Sequence, residues 1–164
     1  MYASEIGDAM FDRLANLHVL AVDLSSGENM NELTERGLQL FSEIRSPERA
    51  ASMRQLIEDN TFGSALANVA VDSVFASIWT REGLERKQRS LVTIGILIAL
   101  RQTAELKNHI EIGIHNGLST QEIEEAILQA AAYTGFPAAW SAHQAAEEVL
   151  NQLGLIGSSK LPDA

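Results

Sequence analysis

The feature that most constrains the fold of this chain is its regular series of helix start and stop signals. Ser119 and Glu122 have the spacing of a capping box, and Gly135 followed by Pro137 is typical of one helix ending and another beginning. No stretch carries an Asn-Gly or Asp-Gly turn between alternating apolar residues, which would indicate a β-hairpin. The sequence therefore predicts an all-α protein.

The same signals predict the bounds of about six to eight helices. We expect helices over 29–44, 47–59, 62–79, 84–101, 103–117, 119–135 and 137–153. Within 62–79, one apolar stripe is predicted to face a core; it consists of Leu66, Val69, Ala70, Val74 and Ile78. The run Leu91–Leu100 is apolar nearly all round, so we expect its helix at the centre of the packing. That run is far shorter than the roughly 20 residues needed to span a bilayer.

The length of 164 residues predicts a single domain over 1–164. Within it we expect an N-terminal arm or helix at 1–28, a helical core at 29–153 and a frayed tail at 157–164. Glu5 and Asp8 stand where a signal peptide would carry basic residues, so we expect a cytoplasmic protein.

Charge and cysteine content exclude several classes of function. Lys and Arg number 12 against 22 Asp and Glu, and the resulting net charge of −10 would repel nucleic acids and anionic membranes. The chain has no cysteine, which excludes disulfides, thiolate metal sites and thiol catalysis. No pair of histidines has the tight spacing to an acidic ligand that indicates zinc, so we expect no metal site.

The candidate catalytic pair is Glu105 and His109, four residues apart on one predicted helix. At this spacing the two side chains share a helical face, so the carboxylate can orient the imidazole and raise its pKa. We expect the pair to face apolar surroundings and to serve in acid-base chemistry near neutral pH. An ordinary helix pair without a catalytic role has the same spacing.

Further candidates are residues whose side chains could hold a small ligand. Arg89 could grip a substrate carboxylate with its planar fork, whereas salt bridges to Glu82 and Glu85 are expected for Arg81 and Arg86. His115 lies roughly 120° round the helix from His109, which indicates a surface, interface or substrate-binding position. Tyr133 could present its hydroxyl, and Trp79 and Trp140 could form pocket walls, although all three are also typical of packing.

Several ordered motifs together make the chain resemble the carboxymuconolactone decarboxylase family over roughly residues 62–150. They are Trp79-Thr-Arg-Glu-Gly-Leu84, Arg89-Ser-Leu-Val-Thr-Ile94, Glu105-Leu-Lys-Asn-His109, Asn116-Gly117, Glu122-Ile123 and Tyr133-Thr-Gly-Phe-Pro-Ala-Ala139. The resemblance implies the all-helical fold of the alkylhydroperoxidase type, commonly assembled as a trimer or ring-shaped hexamer with active sites near subunit contacts.

Thiol-bearing members of this family carry a Cys-x-x-Cys pair just before the histidine that matches His109. Here the stretch is Gln102-Thr-Ala-Glu105, so the chain resembles the cysteine-free, decarboxylase-like branch. Three departures concern the substrate more than the fold: Glu82 stands in a turn that is often Arg-Pro-Gly-Leu, Ala76-Ser77 replaces a Gly-Asp pair, and His115 replaces asparagine.

The resemblance implies a lyase that removes carbon dioxide from a small carboxylated lactone such as γ-carboxymuconolactone, without a cofactor. In that reaction a protonated His109, held by Glu105, would stabilise the charge that develops on the lactone oxygen or deliver the proton to carbon afterwards, and Tyr133 could assist. Two alternatives remain open: a lactone hydrolase or isomerase using the same residues, or a non-catalytic oligomer that binds a small acidic metabolite.

Overall fold

A computed structural model of the protein describes residues 30–157, and describes side chains from Glu32 onward. The predicted arm at 1–28 and all but the first residue of the predicted tail lie outside this range. Between residues 30 and 157 the structure contains seven α-helices, one π-helical segment and no strand, which confirms the all-α prediction. The helices are α1 (Met30–Ile44), α2 (Pro47–Glu58), α3 (Ser64–Val69), continued by the π-helical segment Ala70–Ile78, α4 (Arg86–Ala99), α5 (Thr103–His115), α6 (Thr120–Thr134) and α7 (Phe136–Gln152).

Two of the predicted helix boundaries, at Ser119 and Gly117, are confirmed by capping contacts. At the start of α6, Glu122 N donates to Ser119 Oγ at 3.1 Å and Ser119 N donates to Glu122 Oε2 at 2.9 Å. At the end of α5, Gly117 has a φ of 92°, and Leu118 N donates to Gly113 O at 2.9 Å. This pattern is a Schellman motif, which needs a left-handed residue that glycine supplies most easily.

The described residues form two compact units. The first combines residues 30–40 with Ser52–Thr80, and the second combines Phe41–Ala51 with residues 81–157. The single domain over 1–164 therefore stays a prediction. None of the described helices is long and apolar enough to cross a membrane.

In the first unit, α1 lies very close to the π-helical segment. A Cβ atom added to Gly37 would be only 2.4 Å from Val71 O, and Thr34 Oγ1 donates to Asp72 Oδ1 at 2.8 Å. Such a close approach requires small side chains at the contact.

The stripe predicted to face a core over 62–79 is wrong. The buried apolar residues there are Ala67, Val71, Ala76 and Trp79, whereas the large members of the stripe are exposed: Leu66, Val69, Val74 and Ile78. One reason is the π-helical register, in which Trp79 N donates to Val74 O five residues earlier at 3.0 Å. The prediction assumes 3.6 residues per turn, which does not hold in the π-helical segment, so the buried face there differs from the predicted one.

The second unit is built around α5, which contacts α4 and α7. Its core draws side chains from α4, α5, α6 and α7, including Ile94, Ile98, Leu106, Ile110, Ile123, Ile127 and the alanine-rich face of α7. The central position predicted for the Leu91–Leu100 helix is wrong, because only one face of α4 is buried. Ile94 and Ile98 are inaccessible, but Val92, Ile96 and Leu100 are each more than half exposed.

Candidate active site

His109 occupies the middle of α5, on the side of the helix that turns toward the core of the second unit. Leu106 and Ile110 on the same helix are fully buried, the His109 residue is half-buried, and its Nδ1 atom is buried. The inward direction predicted for the imidazole is therefore correct in part.

Burial lowers the pKa of His109 from its ordinary value, and the nearby cation Arg45 lowers it further. The carboxylate of Glu105 acts in the opposite direction and raises this pKa, as predicted, but its effect is smaller than that of burial. The net increase expected from the sequence is therefore wrong. Since the usual pKa of histidine is about 6.5, the imidazole of His109 is neutral at pH 7.

Glu105 does not share the burial of His109. It lies exposed in the first turn of α5, where Asn108 Nδ2 donates to its Oε2 at 3.5 Å, at the long limit for a hydrogen bond. The expectation that both members of the pair face dry, apolar surroundings is thus wrong for Glu105. Its exposed position does not remove its effect, because Glu105 acts on the pKa of His109 more strongly than Arg45 does.

The sequence analysis missed Arg45, whose side chain is only 4% exposed. Its Nη1 donates to Asn108 O at 2.9 Å, its Nη2 donates to Asn108 Oδ1 at 3.0 Å, and Glu111 Oε2 lies 3.2 Å from Nη1. Arg45 follows the last residue of α1 and is separated from Asn108 by 63 positions. The only local signal is an arginine directly after the buried Ile44, at a helix end.

Arg89 is half-buried on α4, and its Nη2 donates to Arg81 O at 2.7 Å. Its Nε atom is buried and has no hydrogen-bond partner among the residues that the structure describes. The next residue, Ser90, is fully buried and accepts a hydrogen bond at 3.0 Å from Asn116 Nδ2, which links α4 to the end of α5. Arg86 pairs with Glu43 at 2.7 Å, so the expected partners Glu82 and Glu85 are wrong for it.

The other predicted site residues are exposed, with the exception of Trp79. Tyr133 is 82% exposed and lines a groove of about 630 Å³ between α4 and α6, together with Gly95, Ala99, Ala126 and Ala130. Trp140 is 60% exposed on α7, and its ring stacks on that of His143 with a centroid distance of 5.4 Å. His115 is exposed at the end of α5, and Trp79 is buried in the first unit.

The structure thus groups Glu105, His109 and Arg45 around one turn of α5. A neutral imidazole beside a buried cation can donate or accept a hydrogen bond without carrying charge, which suits stabilisation of a developing negative charge. Across the part of the chain that the structure describes, no group of three His, Asp or Glu side chains could hold a metal ion.

Known proteins are similar to this chain along most of its length. A sequence profile of the Carboxymuconolactone decarboxylase family matches residues 65–148. The 4-carboxymuconolactone decarboxylase of Acinetobacter baylyi is 34% identical over 127 residues, which cover 77% of this chain and 93% of that protein. Nitrosuccinic acid decarboxylase npaB of Metarhizium robertsii is 28% identical over 144 residues, covering 88% of this chain and 99% of its own. The chain therefore belongs to the carboxymuconolactone decarboxylase family.

Proposed function

We propose that the protein is a carboxy-lyase that removes carbon dioxide from a small carboxylated lactone or a related organic acid, without a cofactor. Two relatives that align along most of this chain are named as decarboxylases, of 4-carboxymuconolactone and of nitrosuccinic acid. Both compounds are small acids in which a strongly electron-withdrawing group lies near the carboxyl group that leaves. This shared chemistry defines the proposed substrate class.

The reaction needs stabilisation of an electron pair rather than a strong base. When the carboxylate leaves as carbon dioxide, its bonding electrons move into the lactone carbonyl system or the nitro group, whose oxygen becomes negative. A proton then adds to a carbon of the electron-rich system that remains. A preorganised donor near that oxygen lowers the barrier most, because the charge appears only as the bond breaks.

The observation that carries the proposal is the state of His109: a half-buried imidazole whose pKa is held below its usual value. In the proposed mechanism the neutral ring donates a hydrogen bond to the oxygen that gains charge, in place of the protonated ring that the family resemblance implied. Glu105 favours the orientation of the ring from the hydrated side. Tyr133 is the proposed donor of the proton that adds to carbon.

Substrate binding is assigned to side chains that can hold a second carboxylate or cover a flat ring. Arg89 is proposed for the carboxylate, since its buried Nε still has a free donor among the described residues. Trp79, His115 and Trp140 are proposed as ring contacts. The exposure of His115, Tyr133 and Trp140 on one chain is compatible with sites completed by another copy.

The proposed assembly is a homo-oligomer, for which the family resemblance suggests a trimer or hexamer. Its support is the number of large apolar residues left exposed, among them Phe62, Leu66, Ile96, Leu128 and Phe136. Cytoplasmic location remains a prediction from the sequence.

The test is an assay of carbon dioxide release and ultraviolet absorbance with 4-carboxymuconolactone, nitrosuccinic acid and simple enol-lactones. We expect release from at least one of the two acids, and we expect His109→Gln to lower kcat by roughly 10²-fold or more. Glu148→Gln, which alters an exposed glutamate paired with Lys107, is the control and should keep full activity. Ring opening without carbon dioxide would indicate a hydrolase, and binding without turnover would indicate a binding protein; either result contradicts the proposal.

A further inference from the structure

Arg45 contacts the turn of α5 that carries His109 at residues before and after the histidine. Asn108 precedes the histidine and accepts two hydrogen bonds from Arg45, one at its backbone oxygen and one at its side-chain oxygen. Glu111 follows the histidine by two residues and forms the ion pair with the same guanidinium. A planar guanidinium has the fixed fork geometry that makes such a multiple contact rigid.

This contact is buried, and its burial carries a free-energy cost. The Arg45 side chain is 4% exposed and that of Glu111 is 24% exposed. Burial lowers the pKa of Arg45, an effect that Glu111 opposes, and an arginine nevertheless stays charged at any physiological pH. The cation therefore acts on its surroundings through a medium that screens charge poorly.

We propose that Arg45 is a positioning residue for His109, which fixes the turn of α5 bearing the imidazole and places a buried positive charge beside it. This inference rests on the proposed decarboxylase function for its catalytic meaning. The two parts of this proposal can be tested separately. The hydrogen bonds to Asn108 depend on the shape of the guanidinium, whereas the electrostatic effect on His109 depends only on its charge.

The effect of Arg45 on His109 has to be separated from the effects of other charges. Glu105 raises the pKa of the imidazole and Arg45 lowers it. Other charges on α5, α4 and α7 have partners of their own: Lys107 pairs with Glu148, Arg86 with Glu43 and Lys87 with Glu122, and Arg89 donates to the carbonyl of Arg81. Glu147 on α7 lines a groove between α6 and α7. Glu111 acts through its pair with Arg45, and Arg49 lies 3.9 Å from the same Glu111 oxygen.

The electrostatic part is tested by NMR titration of the His109 ring in the free protein, with the signal assigned by its loss in His109→Gln. Arg45→Met removes the cation and should raise the pKa of His109. Glu111→Gln breaks the same ion pair but leaves the cation less neutralised, so it should lower that pKa. A purely structural role would open the site to water in both variants and raise the pKa in both.

Arg49→Met is the matched control, because it removes an exposed arginine that also contacts Glu111. It should move the His109 pKa less than Arg45→Met does. Shifts of the same sign in Arg45→Met and Glu111→Gln, or no shift in either, would overturn the electrostatic part. If Arg45→Met fails to fold by circular dichroism, the downward shift in Glu111→Gln remains the deciding measurement.

The geometric part is tested with Arg45→Lys, which retains the charge but cannot bond both oxygens of Asn108. We expect the His109 pKa to stay close to that of the parent while kcat falls about tenfold or more, since a small displacement of a catalytic group is costly. Unchanged kcat in Arg45→Lys would overturn the positioning role. Because the NMR titrations need no substrate, failure of the decarboxylase assay with opposite pKa shifts would refute the proposed function and leave the electrostatic link between Arg45 and His109 standing.

Discussion

Burial has opposite chemical consequences for the two central side chains of the site. It lowers the pKa of both His109 and Arg45. For histidine, whose ordinary pKa is about 6.5, a decrease removes the charge at neutral pH. For arginine the ordinary value is so high that the charge persists after a decrease. The same solvent exclusion therefore yields a neutral hydrogen-bonding ring and a permanent cation in neighbouring positions.

The lowered pKa of His109 predicts a pH dependence of folding. In the unfolded chain the ring takes up a proton near pH 6.5, whereas in the folded protein it does so only at lower pH. The unfolded state thus binds more protons as pH falls, so stability should decrease from about pH 7 toward the folded pKa. His109→Gln should flatten this part of the curve, measured by urea denaturation between pH 5 and 8.

His143→Gln is the comparison for this measurement, because it removes an exposed histidine on α7. It should retain more of the parent slope than His109→Gln does. Equal slopes for the parent and His109→Gln would show that the protonation of His109 is not linked to folding.

The sequence indicated part of the site for reasons that can be stated residue by residue. His109 was found because Glu105 lies one helical turn before it, and the helical direction of the ring followed from its buried neighbours. Arg45 was not found because its contact with Asn108 spans 63 positions, and no periodic pattern encodes such a distance. The direction of the His109 pKa shift was predicted wrongly for a related reason. The degree of burial of each side chain depends on tertiary packing.

At the scale of helices, the sequence signals for helix ends agree with the structure. The helical register inside a segment is predicted less well. The capping box at Ser119 and the left-handed Gly117 depend on local hydrogen bonds that the sequence states directly. The π-helical segment Ala70–Ile78 contains Val71, which α1 approaches closely at Gly37, a tertiary contact that local sequence signals do not predict. Where the register differs from that of an α-helix, the observed buried face differs from the predicted one.

The cap of α6 predicts a second pH dependence, in a more acidic range. A hydrogen bond from Lys87 and one from the backbone of Ser119 lower the pKa of Glu122 to about 2. In the unfolded chain a glutamate titrates near 4.3, so the stabilising effect is complete above that pH and is lost as pH falls toward 2. Glu122→Gln should lose less stability than the parent between pH 5 and pH 2, by thermal denaturation followed with circular dichroism. A parallel loss in both proteins would contradict this role of the carboxylate.

The end of α4 offers a stabilising substitution. Arg101 has a φ of 56°, and Gln102 N donates to Leu97 O at 3.0 Å, so an arginine holds the left-handed position of a Schellman motif. Because this conformation is strained for an L side chain, Arg101→Gly should stabilise the protein by roughly 0.5–1 kcal/mol after the entropy of glycine is counted. Gly117→Ala at the matching position of α5 should destabilise it by about 1 kcal/mol. Urea denaturation measures both, and a stability decrease in Arg101→Gly would contradict the argument.

At the scale of the whole molecule, the described surface combines large apolar residues with a strongly acidic chain. Val92, Ile96 and Leu100 recur every four residues on α4 and are all more than half exposed, so they form one apolar line. The net charge of −10 opposes association of identical copies. Added salt screens this repulsion, so assembly should strengthen between low and moderate ionic strength.

The proposed oligomer predicts that one charge on this line weakens assembly without unfolding the chain. Burial of an isoleucine side chain contributes about 1.5–3 kcal/mol, and an unpaired carboxylate at the same contact adds a desolvation cost. Ile96→Glu should therefore raise the dissociation constant by roughly 100-fold or more. Sedimentation velocity over a range of protein concentrations measures this, with Gln121→Glu on α6 as a control that adds the same charge at an exposed polar position. If the parent sediments as a monomer at every concentration, or if Ile96→Glu assembles like the parent, the apolar line on α4 is not a subunit contact.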